Sequence, residues 1–190
     1  RRIDGGVTAP AGFRAAGLHC GIKASGKPDL SLIVSDTVAS AAGVFTTNLA
    51  KAAPLYLCEA HLAASGGQAR AIITNSGCAN ACTGPQGEAD ASEMATLVAA
   101  AVGCQVDQVL VASTGVIGVN LKMDSLRTGV PMAAAALSPN GGADAAKAIM
   151  TTDPFPKDYA VEVQTVAGRF RVGGMAKGSG MIEPRMRSEK

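Results

Sequence analysis

The sequence predicts a layered domain of mixed strands and helices, of the α/β or α+β class. Two observations lead there. Short apolar segments bounded by turn residues alternate with segments of helical periodicity, and the apolar content of 47% is drawn almost entirely from small and aliphatic residues, with 3% aromatics and no Trp. A core built from Ala, Val, Leu, Ile and Met has thin, closely spaced layers. The 23 Gly in 190 residues fit tight turns and close backbone approaches.

The elements read in order as follows. Residues 30–35, between Pro28-Asp29 and Asp36, form a strand, and residues 41–47 a second one, with 36–40 as the turn between them. Residues 56–64 form a short helix and 70–74 a buried strand. A small-residue loop spans 75–85. A helix runs from about Glu88 to Val102, with Glu88, Asp90 and Glu93 at the positive end of its dipole. Met94, Leu97, Val98 and Ala101 make its apolar face, and Gly103 stops it. Residues 107–112 are a strand, followed by a loop over 113–118. Residues 142–150 are a helix. Residues 159–166 and 169–173 form a hairpin turning at Ala167-Gly168, with Val161, Val163 and Thr165 on one face and Glu162 and Gln164 on the other.

Composition excludes several classes. The net charge is +2 and basic residues are scattered without interleaved aromatics, which excludes a nucleic-acid surface. No apolar run reaches the roughly 18 residues of a membrane span. Arg1-Arg2-Ile3-Asp4 is not followed by an apolar signal core, so secretion is not indicated. Five Cys (Cys20, Cys58, Cys78, Cys82 and Cys104) at irregular spacing fit reduced thiols in a cytoplasm rather than a disulfide framework or a metal site. An organelle stroma or matrix remains open if a transit peptide has been removed.

Several segments carry potential chemistry. Gly21-Ile22-Lys23-Ala24-Ser25-Gly26-Lys27-Pro28 matches a phosphate-binding loop up to its last position, where Pro28 replaces the magnesium-holding hydroxyl. Because a strand follows it, a surface turn is the better reading. His19 and His61 sit in no nucleophile motif and read as structural or surface residues. Ser113-Thr114-Gly115-Val116-Ile117-Gly118 lies just past a strand, where a Thr hydroxyl beside a Gly amide can make an oxyanion hole, or simply a capped turn. Thr151-Thr152-Asp153-Pro154 reads as a helix exit with side-chain hydrogen bonds. Ala176-Lys177-Gly178-Ser179-Gly180 offers an uncrowded Lys to a substrate carboxylate, or leaves it solvated in a loop.

Six ordered segments together resemble the glutamate N-acetyltransferase family, also called ornithine acetyltransferase. They are GGVTAPAGFRAAG (5–17), GIKASGKPDLSLIVSD (21–36), TNSGCANACTG (74–84), ASTGVIG (112–118), AIMTTD (148–153) and GMAKGSGMIEP (174–184). The match is to the family's N-terminal α chain. The resemblance implies a four-layer α-β-β-α sandwich of the type shared with self-processing aminopeptidases. It also implies a precursor that cuts itself before a Thr, a β chain from the same precursor, and an α2β2 heterotetramer. The implied reaction moves acetyl from N2-acetylornithine to glutamate by ping-pong acyl transfer in arginine biosynthesis. It needs no metal or organic cofactor, and acetyl-CoA is a second acetyl source in some members.

On this resemblance Thr114 and Gly115 form the oxyanion hole, while Thr151 and Lys177 bind substrate. Residues 1–184 are the α-chain domain and 185–190 an atypical tail. The family continues from Met-Ile-Glu-Pro into Asn-Met-Ala-Thr, whereas this chain reads Arg185-Met186-Arg187-Ser188, so the nucleophile position falls on Ser188. The expectations are an α segment with an altered end, or a truncated remnant acting only in binding or assembly. An aminopeptidase relative is the third reading. In each case the chain alone is expected to lack acetyltransferase activity.

Overall fold

The computed structural model describes residues 1–180, 182, 185 and 186. Ser188 lies outside the described residues. In chain order the elements are β1 (Arg2–Ile3), β2 (Phe13–Leu18), β3 (Leu30–Ser40), α1 (Ala53–Ala64), β4 (Gln68–Cys78), α2 (Gly84–Val102), β5 (Val109–Val116), α3 (Met123–Ala135), α4 (Gly142–Ala148), β6 (Lys157–Thr165) and β7 (Gly168–Ala176). Two sheets result. One has the order β2-β3-β4-β5, antiparallel except for the parallel β4–β5 pair, and the other is an antiparallel β1-β6-β7 sheet. The parallel pair requires a crossover, and α2 supplies it. The mixed α/β class expected from the sequence is the class observed, with the two sheets that an α-β-β-α sandwich needs.

The main core lies on one face of the four-stranded sheet. Leu30, Leu32 and Val34 of β3, Ala71 and Ile73 of β4, and Val109 and Val111 of β5 point into it. They meet Met94, Ala95 and Val98 of α2 and Leu126, Val130 and Ala133 of α3. On the opposite face Ala15 and Ile33 pack on Ala145 of α4. Leu126 is fully buried. Leu126→Ala is expected to destabilise the fold by about 2–5 kcal/mol, the usual cost of lost transfer energy plus a cavity. Equilibrium urea unfolding measures this.

Several expectations are corrected. Residues 36–40 are not a turn. β3 continues through them with a register shift against β4, pairing Val34 with Ala71 and resuming at Ala39 with Ala69. Arg70 donates to the Asp36 carbonyl at 2.7 Å, Arg14 pairs with the Asp36 carboxylate at 2.8 Å and the Asp36 amide donates to the Gly12 carbonyl at 2.8 Å, so these residues are held although they leave the β4 ladder. Residues 41–47 are not a strand: among the described residues they make one bridge, at Thr46. Thr46 Oγ1 accepts from the Asn48 amide and Asn48 Oδ1 from the Ala50 amide, local bonds that compete with a ladder.

The loop at 75–85 is shorter than expected, since β4 runs on to Cys78. α2 begins at Gly84 because Pro85 pre-sets the first helical turn. Glu88, Asp90 and Glu93 therefore lie beyond that turn, which holds no acidic residue. Its buried face is Ala91, Met94, Ala95, Val98 and Ala99, and Ala101 is exposed. Gly103 does end the helix, in a left-handed conformation at φ 71°. Residues 106–108 form a short 3-10 turn ahead of β5. The β6 face carrying Glu162 is the buried one, because Arg1, Arg169 and Arg171 surround that carboxylate.

Candidate active site

The carboxyl ends of β4 and β5 lie side by side, as parallel strands place them, and ligand sites in such sheets form there. The register pairs Asn75 with Ser113, Ser76 with Thr114 and Gly77 with Gly115. Asn75 is fully buried and secures this edge: its Oδ1 accepts from the Ser113 hydroxyl at 2.6 Å and its amide donates to the Cys78 carbonyl at 2.9 Å. Thr114 and Gly115 are thus strand residues, not loop residues, since β5 extends to Val116. Gly115 has φ 134°, and a Cβ there would overlap the Gly77 carbonyl carbon and stand 2.7 Å from the Cys78 nitrogen. No other residue fits without moving the β4 backbone.

Three chain segments converge on one ammonium. Lys177, just past β7, donates to Thr114 Oγ1 at 2.9 Å and to Thr151 Oγ1 at 2.8 Å. Thr151 follows the end of α4. The structure therefore brings together Thr114, Gly115, Thr151 and Lys177, four residues singled out in the sequence.

The polarity of these bonds has consequences. An ammonium is donor-only, so both threonine oxygens accept, and each hydroxyl keeps its own proton to donate elsewhere. Lys177 has three N–H groups. Two are used, the third has no hydrogen-bond partner among the described residues, and no carboxylate pairs with it there. This half-buried cation can take a carboxylate from outside the chain.

Asp153 was read only as part of a helix exit, and it organises the site. Its carboxylate accepts from Lys157 Nζ at 2.6 Å, from the Gly178 amide at 2.7 Å and from the Thr151 amide at 3.2 Å. One buried side chain, 1% exposed, thereby fixes the neighbours of both Thr151 and Lys177. The Lys157 ammonium, then the Gly178 amide, hold its pKa well below the usual carboxylate range, against the opposing effect of burial. The sequence signal was the acidic residue two places after Thr151.

Such a group contributes stability at pH above the unfolded value of about 4, and loses it as pH falls towards its depressed folded value. Asp153→Asn is expected to cost about 2–3 kcal/mol near neutral pH, and the gap from wild type should narrow steadily as the solution is taken below pH ~4. Urea titrations across pH would show this, and a gap independent of pH would contradict it.

The phosphate-loop-like stretch forms a turn ahead of β3, as expected. Lys23, however, is half-buried and donates to the Pro28 and Met150 carbonyls, each at 2.7 Å. His61 Nδ1 lies 2.8 Å from the Val109 carbonyl and His19 Nδ1 2.9 Å from the Asp29 carboxylate, both structural positions. Among the described residues no group of His, Cys, Asp and Glu has the number and placement to hold a metal ion, and no helix is long and apolar enough to cross a membrane.

A sequence profile of the ArgJ family matches residues 14–188. The chain belongs to the ArgJ family. It is 55% identical over 186 residues to the arginine biosynthesis bifunctional protein ArgJ of Symbiobacterium thermophilum, covering 97% of this chain and 46% of that protein. The chain spans about half the length of the curated ArgJ relatives it matches.

Two solved ArgJ-family structures share its fold. The crystal structure of the arginine biosynthesis bifunctional protein from Bacillus halodurans superposes with a TM-score of 0.91 at 39% identity, covering 98% of this chain and 97% of that one. The crystal structure of ornithine acetyltransferase complexed with ornithine, from Mycobacterium tuberculosis, also gives 0.91, at 47% identity, covering 98% and 99%.

Proposed function

We propose that the chain is the α portion of an ornithine acetyltransferase that moves acetyl from N2-acetylornithine to glutamate by ping-pong acyl transfer. The observation that carries this is the Lys177 ammonium held by Thr114 and Thr151 beside Gly115. A cation without a carboxylate partner among the described residues thus stands next to two hydroxyls with protons to donate. Both substrates present a carboxylate to such a cation. The likeness to a crystallised ornithine acetyltransferase chain over 99% of that chain, against less than half of the ArgJ relatives' length, supports a two-chain enzyme.

The chemistry follows from the donors. The nucleophile belongs to a β chain, as the N-terminal Thr of the family. Its α-amine, with a pKa near ~8, takes the hydroxyl proton as the oxygen attacks the acetyl carbon. The developing oxyanion accepts hydrogen bonds from the Thr114 hydroxyl and the Gly115 amide, the type of arrangement worth about 3–4 kcal/mol per donor. The C–N bond breaks, the proton passes to the departing amine, and ornithine leaves an acetyl ester. Glutamate's amine then attacks that ester through the same oxyanion, and N-acetylglutamate departs with the nucleophile's hydroxyl restored. The pocket groups named supply this without a metal or organic cofactor, and acetyl-CoA is a further acetyl donor the same ester step accommodates.

Assembly is proposed as α2β2, in the cytoplasm. The test is acetyl transfer between N2-acetylornithine and glutamate, measured on the protein encoded by the full reading frame and on this 190-residue chain by itself. Activity is expected for the first and none for the second. Transfer by the isolated chain would sink the two-chain reading, and none by the full protein would sink the activity.

A further inference from the structure

The loop that resembles a phosphate-binding motif is unused by the chemistry above, yet its lysine touches both halves of the site. Lys23 runs beneath the carboxyl end of β4. Its Cγ and the Ile22 Cγ2 lie 3.2 and 3.1 Å from where a Cβ on Gly77 would stand. Gly77 pairs with Gly115, and a Cβ on Gly115 would overlap the Gly77 backbone. The Lys23 stem thus packs on Gly77, which lies beside Gly115 in the sheet.

The other end of Lys23 reaches the end of α4. α4 ends at Ala148, and Met150 lies two residues beyond it, between the helix and Thr151. Lys23 Nζ takes the Met150 carbonyl at 2.7 Å, directly before Thr151, and Ser76 Oγ donates to the Ala148 carbonyl. The loop is itself anchored. The Cys20 and Lys23 amides donate to the fully buried Asp29 carboxylate at 2.7 and 2.9 Å, and the Asp29 carbonyl accepts from the Ser76 amide at 2.8 Å. Burial lowers the Lys23 pKa and Asp29 works against that lowering. The ammonium has no ion pair at contact distance among the described residues and is spent on backbone carbonyls.

We propose that Lys23 is a positioning residue for the acyl-transfer site: its stem packs against Gly77, the partner of Gly115, while its ammonium holds the Met150 carbonyl just past α4, fixing Thr151 in register with Lys177. This rests on the acetyltransferase reading for its kinetic test but not for its structural one. A small misplacement of reacting groups, of order 1 Å, can cost about 10²-fold in rate. Lys23→Met keeps most of the stem and removes the donors, and Lys23→Arg keeps the charge and the donors.

In the protein encoded by the full reading frame, Lys23→Met is expected to lower kcat about 10²-fold. The KM for N2-acetylornithine should change far less, and the folded fraction at the assay temperature should be retained. Lys23→Arg is expected to recover much of the loss. A kcat for Lys23→Met within about threefold of wild type, or a loss accounted for by unfolded protein, would overturn the proposal. If the wild-type protein transfers no acetyl, the functional reading fails. The positioning claim is then decided by the crystal structure of Lys23→Met. Thr151 Oγ1 moved out of hydrogen-bond reach of Lys177 supports it, and an unchanged Thr114–Lys177–Thr151 cluster overturns it.

Discussion

Lys177→Met is expected to reduce kcat/KM for N2-acetylornithine by roughly 10²–10³-fold, because it removes the cation at the centre of the site. Two losses combine. The substrate carboxylate loses a charge-assisted partner in a half-buried setting, and truncating one side of such a pair costs about 2–5 kcal/mol. The two threonine hydroxyls also lose the ammonium that both accept from, so Thr114 is free to turn its proton away from the oxyanion. Lys177→Arg should not restore the rate. A planar guanidinium cannot make the same two short bonds to Thr114 and Thr151 and also face a substrate from the same point. Steady-state kinetics with varied N2-acetylornithine would measure both, and a Lys177→Met enzyme within tenfold of wild type would contradict the assignment.

Gly115→Ala is the second large effect, and its cause is steric before it is electronic. The residue sits at φ 134°, a conformation costly for any side chain, and its Cβ would overlap the β4 backbone at Gly77. The strand pair must separate or the peptide must rotate, and either motion displaces the Gly115 amide. Loss of one oxyanion donor costs about 10²–10³-fold in kcat. The KM for ornithine-type ligands should change much less, since Lys177 and Thr151 remain in place. Binding of ornithine by calorimetry, set beside kcat, separates the two effects. A Gly115→Ala protein that loses ligand binding and rate in equal proportion would assign Gly115 to substrate binding and not to the oxyanion.

The site was legible in the sequence only through the order of its segments. A Lys among Gly, Ala and Ser has the local character of a solvated residue, a Thr before a Gly that of a turn, and a Thr-Thr-Asp run that of a helix exit. What changes their meaning is convergence. Lys177 meets residues 63 and 26 positions away, contacts that no periodicity encodes. Asp153 follows the same rule, since its importance lies in the Gly178 amide it receives from β7's end.

The fold was legible where side chains carry a period. β3 and β4, with their Leu, Ile and Val, were found, as was α2. β2 was missed because the stretch between Phe13 and Leu18 is Arg, Ala, Ala and Gly, with little strand character. α3 was missed because it contains Gly129 and Pro131, which read as breakers. Met123, Leu126, Val130 and Ala133 do recur at helical spacing and are buried, so the signal was present. Gly129 is there for packing, since a Cβ would strike Cys20.

The proposed ping-pong use of one site by two amines is open to a single direct measurement. The protein encoded by the full reading frame is incubated with N2-acetylornithine and isotopically labelled ornithine, with no glutamate present. Label is expected to enter N2-acetylornithine, because an acetyl ester on the nucleophile, its carbonyl oxygen facing Thr114 and Gly115, is returned to whichever amine arrives. Acetylation of glutamate without any such exchange would contradict the covalent route, and with it the roles given to these two residues.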